Sequence, residues 1–158
     1  MMFTISDSIL EPLNLHVRGY GAHNAEAGGF LLGPYDAGAA TVLALAEGVG
    51  IERGRGLFRV SGKAMDQLFA WADEERLRVW AQVHSHPRRS FLSLTDEMYG
   101  FRVARFLSGV IPQYAKPPLD PAAWGWWVFT DGEWRSSERP GVVEVASRIV
   151  TFDQAGVR

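Results

Sequence analysis

Two histidines, a serine and an aspartate stand within one short stretch, HSHPRRSFLSLTD, as His84, His86, Ser93 and Asp96. The chain has four histidines, and half of them occupy this three-residue window directly before Pro87. If the preceding VWAQVH is a strand that runs on to His86, period-two alternation turns both imidazoles to one face, where they can share a metal ion. Pro87 then ends the strand at a point where no ladder partner is needed. Asp96, at the start of a helix, can return to add an oxygen ligand. Two histidines and one carboxylate leave a fourth position open, which is the arrangement of a catalytic rather than a structural zinc. A plainer reading stands beside this one. Ser93-Leu94-Thr95-Asp96 also fits a capping box, in which serine and aspartate satisfy free N–H groups at a helix start, and the histidines would be hydrogen-bonded strand residues. The two readings are compatible, because a helix start holds an aspartate rigidly.

The elements that must position these residues are legible in outline. MFTI is a strand candidate, and Ile9, Leu13, Val17 and Tyr20 recur at helical spacing from Ser6 to about Tyr20, with Pro12 best suited to a first turn. GGFLLG (28–33) is a short apolar strand closed by a turn-rich segment, with TVLALAEGV (41–49) as its hairpin partner. GLFRVS reads as extended. Ser61 caps a helix carrying Met65, Leu68, Phe69 and Ala72 on one face and ending near residues 76–78. VWAQVH (79–84) is apolar enough for a central strand buried on both faces. A short helix is expected from Thr95 to about Phe101. FLSGVI and WGWWVFT are further strands, and Asp131-Gly132 marks a hairpin turn. The apolar tail 142–152 fits either type. Strands interrupted by helices make the chain α/β or α+β, with a mixed sheet in one domain.

Composition narrows the function. Among 158 residues, 47% are hydrophobic and 22% charged, the balance of a folded globular protein. A net charge of −2 gives no general pull toward nucleic acid or an anionic membrane. The absence of cysteine removes thiol nucleophiles, disulfides and thiolate zinc sites. No apolar run approaches the roughly 20 residues that span a bilayer, and MMFTISDSILEP lacks the basic start of a signal peptide, so a cytoplasmic location is expected.

The same stretch resembles the metal-binding motif of the JAB1/MPN/Mov34 metalloenzyme (JAMM) family, H-[ST]-H-P followed by a loop and S-x-x-D. The family's upstream E-x-x-G-x-L-x-G is matched by EAGGFLLG, Glu26 to Gly33. Similarity to bacterial JAB-domain members extends over residues 3–136 of a single domain taken as 1–158. Six residues separate His86 from Ser93, one fewer than the commonest family spacing, a mark of a bacterial subgroup with phenylalanine in this loop. The resemblance implies a cytidine-deaminase-like fold, a mixed central sheet flanked by helices. It further implies one Zn2+ held by His84, His86 and Asp96, with Glu26 as general base and then acid. Ser93 would donate to the oxyanion, where loss of one donor costs roughly 3–4 kcal/mol. Arg88 and Arg89 would sit on the rim and contact substrate, or simply be solvated. His16 and His23 lie outside the motif as surface or hydrogen-bonded residues.

By the same resemblance the substrate is a ubiquitin-like protein, cleaved at a peptide or isopeptide bond after its C-terminal glycine, within a system containing E1-like and E2-like proteins. Release of a sulfur-carrier protein from an adduct uses the same site. A non-catalytic MPN-type binding module is the reading from another class, opposed by the complete motif. Nucleic-acid and membrane partners are not expected.

Overall fold

The computed structural model describes residues 2–158, apart from the side chains of Met98 and Tyr99. The chain opens with β1 (Thr4–Ser6) and α1 (Asp7–Gly21), followed by β2 (Gly28–Gly33), β3 (Ala39–Ala40) and β4 (Val42–Ala46). A separate two-stranded hairpin, β5 (Ile51–Gly54) and β6 (Leu57–Val60), precedes α2 (Gly62–Glu74) and β7 (Arg78–Ser85). Then come α3 (Leu94–Tyr99), β8 (Leu107–Ile111), a 3₁₀ turn at Pro121–Ala123, β9 (Gly125–Thr130) and β10 (Glu133–Ser136). The tail supplies β11 (Gly141–Val143), β12 (Arg148–Asp153) and β13 (Gly156–Val157), so the segment of undecided type is extended.

Eight strands form one mixed sheet in the order β10-β9-β8-β7-β2-β4-β12-β13, with β7/β8 and β4/β12 parallel and the other pairs antiparallel. This is the mixed α/β sheet expected of the sequence. Each face buries its own core. Ile9, Leu13 and Val17 of α1 meet Leu31, Leu43 and Val83 on one side, while Met65 and Leu68 of α2 meet Phe30, Ala44 and Phe152 on the other. Strands β2 and β7 lie at the middle and carry apolar residues toward both layers, which explains their nearly unbroken hydrophobic sequence.

Local signals act as their chemistry dictates, with two adjustments. The Ser61 hydroxyl accepts the Ala64 N–H at 3.2 Å, capping α2. That helix stops at Glu74, short of residues 76–78, because Arg76 turns left-handed (φ 57°) and the Leu77 N–H returns to the Ala72 carbonyl at 2.8 Å. Phe69 is not core but half-exposed, edge-on to Phe101. Pro12 lies inside α1 instead of in its first turn, because the helix already begins at Asp7. Asp131 and Gly132 both adopt positive φ (52° and 79°), the geometry that lets a two-residue turn join β9 to β10. Among the described residues, no helix is long and apolar enough to cross a membrane.

Candidate metal centre

The site forms where β7 ends beside the start of β2. His84 pairs with Gly28 across this antiparallel ladder. A Cβ on Gly28 would lie 2.1 Å from the Val83 carbonyl oxygen and 2.8 Å from the His84 Cα, so only glycine lets β2 pass so close to the histidine. The glycines of this strand thus serve close packing. Ser85, between the two histidines, turns to the opposite side. Its N–H donates to the Ala27 carbonyl and its hydroxyl accepts the Ala27 N–H, both at 2.9 Å. The Glu26 N–H donates to the Gly54 carbonyl at 2.9 Å. Residues 26 and 27 are therefore pinned from two sides, and the Glu26 side chain is carried into the site.

Beyond Ser85 the backbone stays extended for one more residue. The His86 N–H reaches the Ile111 carbonyl at 2.8 Å, and its own carbonyl accepts the Tyr114 N–H at 3.1 Å. This puts the two rings on one face, with centroids 5.1 Å apart. Phe58 from β6 lies flat against His84, and Phe91 meets His86 edge-on at 4.7 Å. Both histidines are 3% exposed. The chain then returns through α3, where the capping box is fully formed. The Ser93 hydroxyl accepts the Asp96 N–H, and Asp96 Oδ2 accepts the Ser93 N–H, each at 3.0 Å.

The same carboxylate faces both imidazoles. Asp96 Oδ1 is 3.1 Å from His84 Nε2, Oδ2 is 3.1 Å from His86 Nε2, and the two Nε2 atoms are 3.2 Å apart. Nitrogen and oxygen donors 2.0–2.1 Å from a tetrahedral ion stand about 3.3 Å from one another. The Nε2 pair and each contact from one nitrogen to one Asp96 oxygen are close to that edge length, so the donor set of these three residues suits a small cation. The Nδ1 atoms of both rings are buried without a hydrogen-bond partner among the described residues, leaving the inward Nε2 pair as the polar focus. A second set overlaps the first: a Glu26 oxygen and one nitrogen from each histidine all lie within 4.8 Å of one another. Glu26 is 3% exposed, and its carboxylate forms no hydrogen bond or ion pair among the described residues.

Electrostatics separates the two carboxylates. Burial, followed by the charge of Asp96, pushes the Glu26 pKa up to about 8. A cation alongside would lower that value. Burial also works against ionisation of Asp96, but hydrogen bonds from His84 and His86, the charge of His84 and the Ser93 N–H together hold it far below the ordinary carboxylate range. One carboxyl therefore stays ionised, while the other can carry a proton near neutral pH. A cavity of about 80 Å³ adjoins His84 and Asp96, walled by Phe30, Phe58 and Phe101 and by the polar Gln82.

Arg88 and Arg89 are exposed in the 87–93 loop, with the Arg89 guanidinium 6.0 Å from the Phe91 ring, and neither joins the cluster. His23 is exposed, whereas the His16 side chain is only 9% exposed and faces Glu47 at 3.5 Å. Three contributors lack any sequence signal of their own: Phe58 as a ring neighbour of His84, the Gly54 carbonyl, and the Arg53–Glu47–Tyr20 cluster beside it, whereas Phe91 is the loop phenylalanine that marks the subgroup. Arg53 lies 3.9 Å over the Tyr20 ring and 3.7 Å from Glu47, to which Tyr20 also donates. Ser85 had a signal in the middle position of H-S-H-P, since a buried hydroxyl between two buried histidines needs a partner.

No family model matches the chain. A protein of Sinorhizobium fredii named as a probable metalloprotease is 36% identical over 62 residues, a match taking in 39% of this chain and 38% of that protein. A JAB1/MPN domain protein from Archaeoglobus fulgidus shares the fold with a TM-score of 0.54 and 19% identity, over 90% of this chain and 98% of that one. A protein from Desulfitobacterium hafniense superposes with a TM-score of 0.71 and 16% identity, over 92% and 95% of the two chains.

Proposed function

We propose that this chain, assigned to the JAB1/MPN/Mov34 metalloenzyme family by its motif, its metalloprotease relative and its fold, is a zinc metallopeptidase that cleaves after the C-terminal glycine of a ubiquitin-like protein. A JAMM-type, metal-dependent hydrolase is the general reading that the relative and the donor set support. The observation that carries it is the meeting of His84 Nε2, His86 Nε2 and the two oxygens of the Asp96 carboxylate beside the buried, unpaired Glu26. Two imidazoles with one carboxylate favour zinc over magnesium or calcium, which take oxygen ligands. The ubiquitin-like substrate rests on the resemblance of the motif.

In this reading His84, His86 and Asp96 hold the ion. Zinc, when bound, supplies Lewis acidity that polarises the scissile carbonyl and makes a hydroxide nucleophile available near pH 7. Glu26 takes the proton from the attacking water and delivers it to the departing amine, a task suited to a group that titrates near neutrality. Ser93 uses its oxygen lone pair for the Asp96 N–H, which leaves its O–H to donate to the oxyanion. Arg88 and Arg89 hold the substrate chain at the rim, and reversing both charges should lower kcat/KM.

The test is cleavage of a ubiquitin-like protein fused through its C-terminal glycine to a reporter, using zinc-loaded wild type and Glu26→Ala with metal quantified in each. Cleavage by wild type alone, with one zinc in both, is the expected result. Zinc in both with cleavage in neither would refute the assigned substrate while leaving the site intact. Failure of wild type to take up zinc would refute the catalytic reading.

A further inference from the structure

The far end of β7 borders a second cavity, of about 720 Å³, within the roughly 300–1,000 Å³ typical of small-molecule sites. It opens beside Arg78 and Trp80, at the opposite end of the strand from His84. At about 3.3 Å per residue Arg78 and Trp80 stand roughly 20 and 13 Å from His84, and the two cavities share no lining residue.

Its base is closed by buried indoles: Trp80 and Trp126 are 7% and 4% exposed, and Phe3 packs on Trp80 at 6.2 Å between ring centroids. Its rim is cationic. Arg78, Arg105 and Arg139 reach the cavity from three separate segments, and none forms an ion pair among the described residues. With Asp36 and Glu138 as the lining acids, the wall carries one net positive charge. Arg78 lies 4.1 Å over the Trp80 ring, which sets its guanidinium directly above the apolar floor. Arg105 has a left-handed backbone (φ 71°), unusual for a residue with a Cβ, and its N–H is tied to the Phe129 carbonyl at 2.8 Å. Such geometry persists only where surrounding structure enforces it, and here it presents a cation to the cavity.

Guanidinium groups match a carboxylate in planar, two-pronged hydrogen bonds. We propose that this cavity is a second binding site, specific for an organic carboxylate whose anionic group is held by Arg78, Arg105 and Arg139.

The experiment is a titration of the full ¹⁵N-labelled chain followed by NMR, with 2-naphthoate as probe and neutral 2-naphthamide as its isostere. The expected result is saturable shifts of the Trp80 and Trp126 indole N–H signals and of amides at 78–80 and 105–107, with the amide binding at least tenfold more weakly. Arg105→Asn with Arg139→Gln should weaken 2-naphthoate at least tenfold and leave the rest of the spectrum, including His84 and His86, unchanged. Asn tolerates the left-handed backbone, so this variant tests the charge and not the fold. A peptide ending in a free tryptophan carboxylate separates the sources: competition points to a protein C-terminus, and its absence to a small molecule. Equal binding of acid and amide, no saturation in the millimolar range, or an unaffected double variant would each overturn the proposal.

Discussion

Gly28→Ala is the sharpest probe of how the centre is built. Gly28 faces His84 across the β2–β7 ladder, and an added Cβ would sit 2.1 Å from the Val83 carbonyl oxygen. Real Cβ atoms essentially never approach closer than 3.0 Å, so the two strands must part by about 0.9 Å at this point. Both are central strands packed on two faces, and forcing a methyl into such a place costs roughly 1–3 kcal/mol. The strand that moves carries Glu26 at its entry, while the strand it leaves carries the histidines. A displacement near 1 Å between a base and its reacting partners lowers rate by about 100-fold. Urea denaturation, metal content and cleavage of the reporter fusion should therefore show reduced stability, retained zinc and a fall in kcat of that order. Gly19→Ala is the control, since nothing lies within 4 Å of a Cβ there and the residue is helical, so it should be stabilised by about 0.5–1 kcal/mol. If Gly28→Ala melts and cleaves like wild type, the interstrand spacing does not position Glu26 and the reasoning fails.

Burial, reinforced by Arg53 and opposed by Glu47, lowers the His16 pKa to about 4. A folded-state value below the unfolded one means that the neutral ring's contribution is complete above pH 6.5 and is lost as pH falls from there through 4. This amounts to about 3 kcal/mol, and denaturation at pH 7.5 and pH 4.5 should show a smaller loss for His16→Phe than for wild type. Asp96→Asn and His84→Ala should each weaken zinc binding by more than about 100-fold, beyond the range of most outer-shell changes, as read by competition with a chromophoric chelator. Ser85→Ala strands the buried Ala27 N–H and should cost roughly 1–3 kcal/mol in denaturant. Its zinc content should stay whole while kcat falls.

The parts of the site that depend on near neighbours in the chain were legible. Strand alternation placed His84 and His86 together, and the serine-to-aspartate interval announced the capping box before either was seen in space. The strand GGFLLG and the turn at Asp131-Gly132 were equally local. What sequence could not reveal was the meeting of distant segments. Nothing in IERG marks it as the strand whose last carbonyl receives the Glu26 N–H, and nothing in LFRV says that Phe58 will cover His84. The tail stayed ambiguous because its strands are defined by pairing partners more than a hundred residues upstream, such as β12 with β4. Helix ends were legible only approximately, since the left-handed turn at Arg76 carries no glycine to announce it.

One atom of Asp96 serves two masters. Oδ2 accepts the Ser93 N–H that begins α3 and also stands 3.1 Å from His86 Nε2. Helix order and metal occupancy thus become a single linked equilibrium. A ligand present at 100 times its dissociation constant contributes about 2.7 kcal/mol to the state it binds, and here that free energy falls on a six-residue helix too short to persist alone. A chelator should speed hydrogen exchange at the Asp96 and Glu97 amides well before it affects β2 or β7. Uniform exchange across all three would break the link. In a metal-loaded molecule the surface beside His84 and His86 would itself be a readout of metal supply, assembled when the ion is plentiful and loosened when it is scarce.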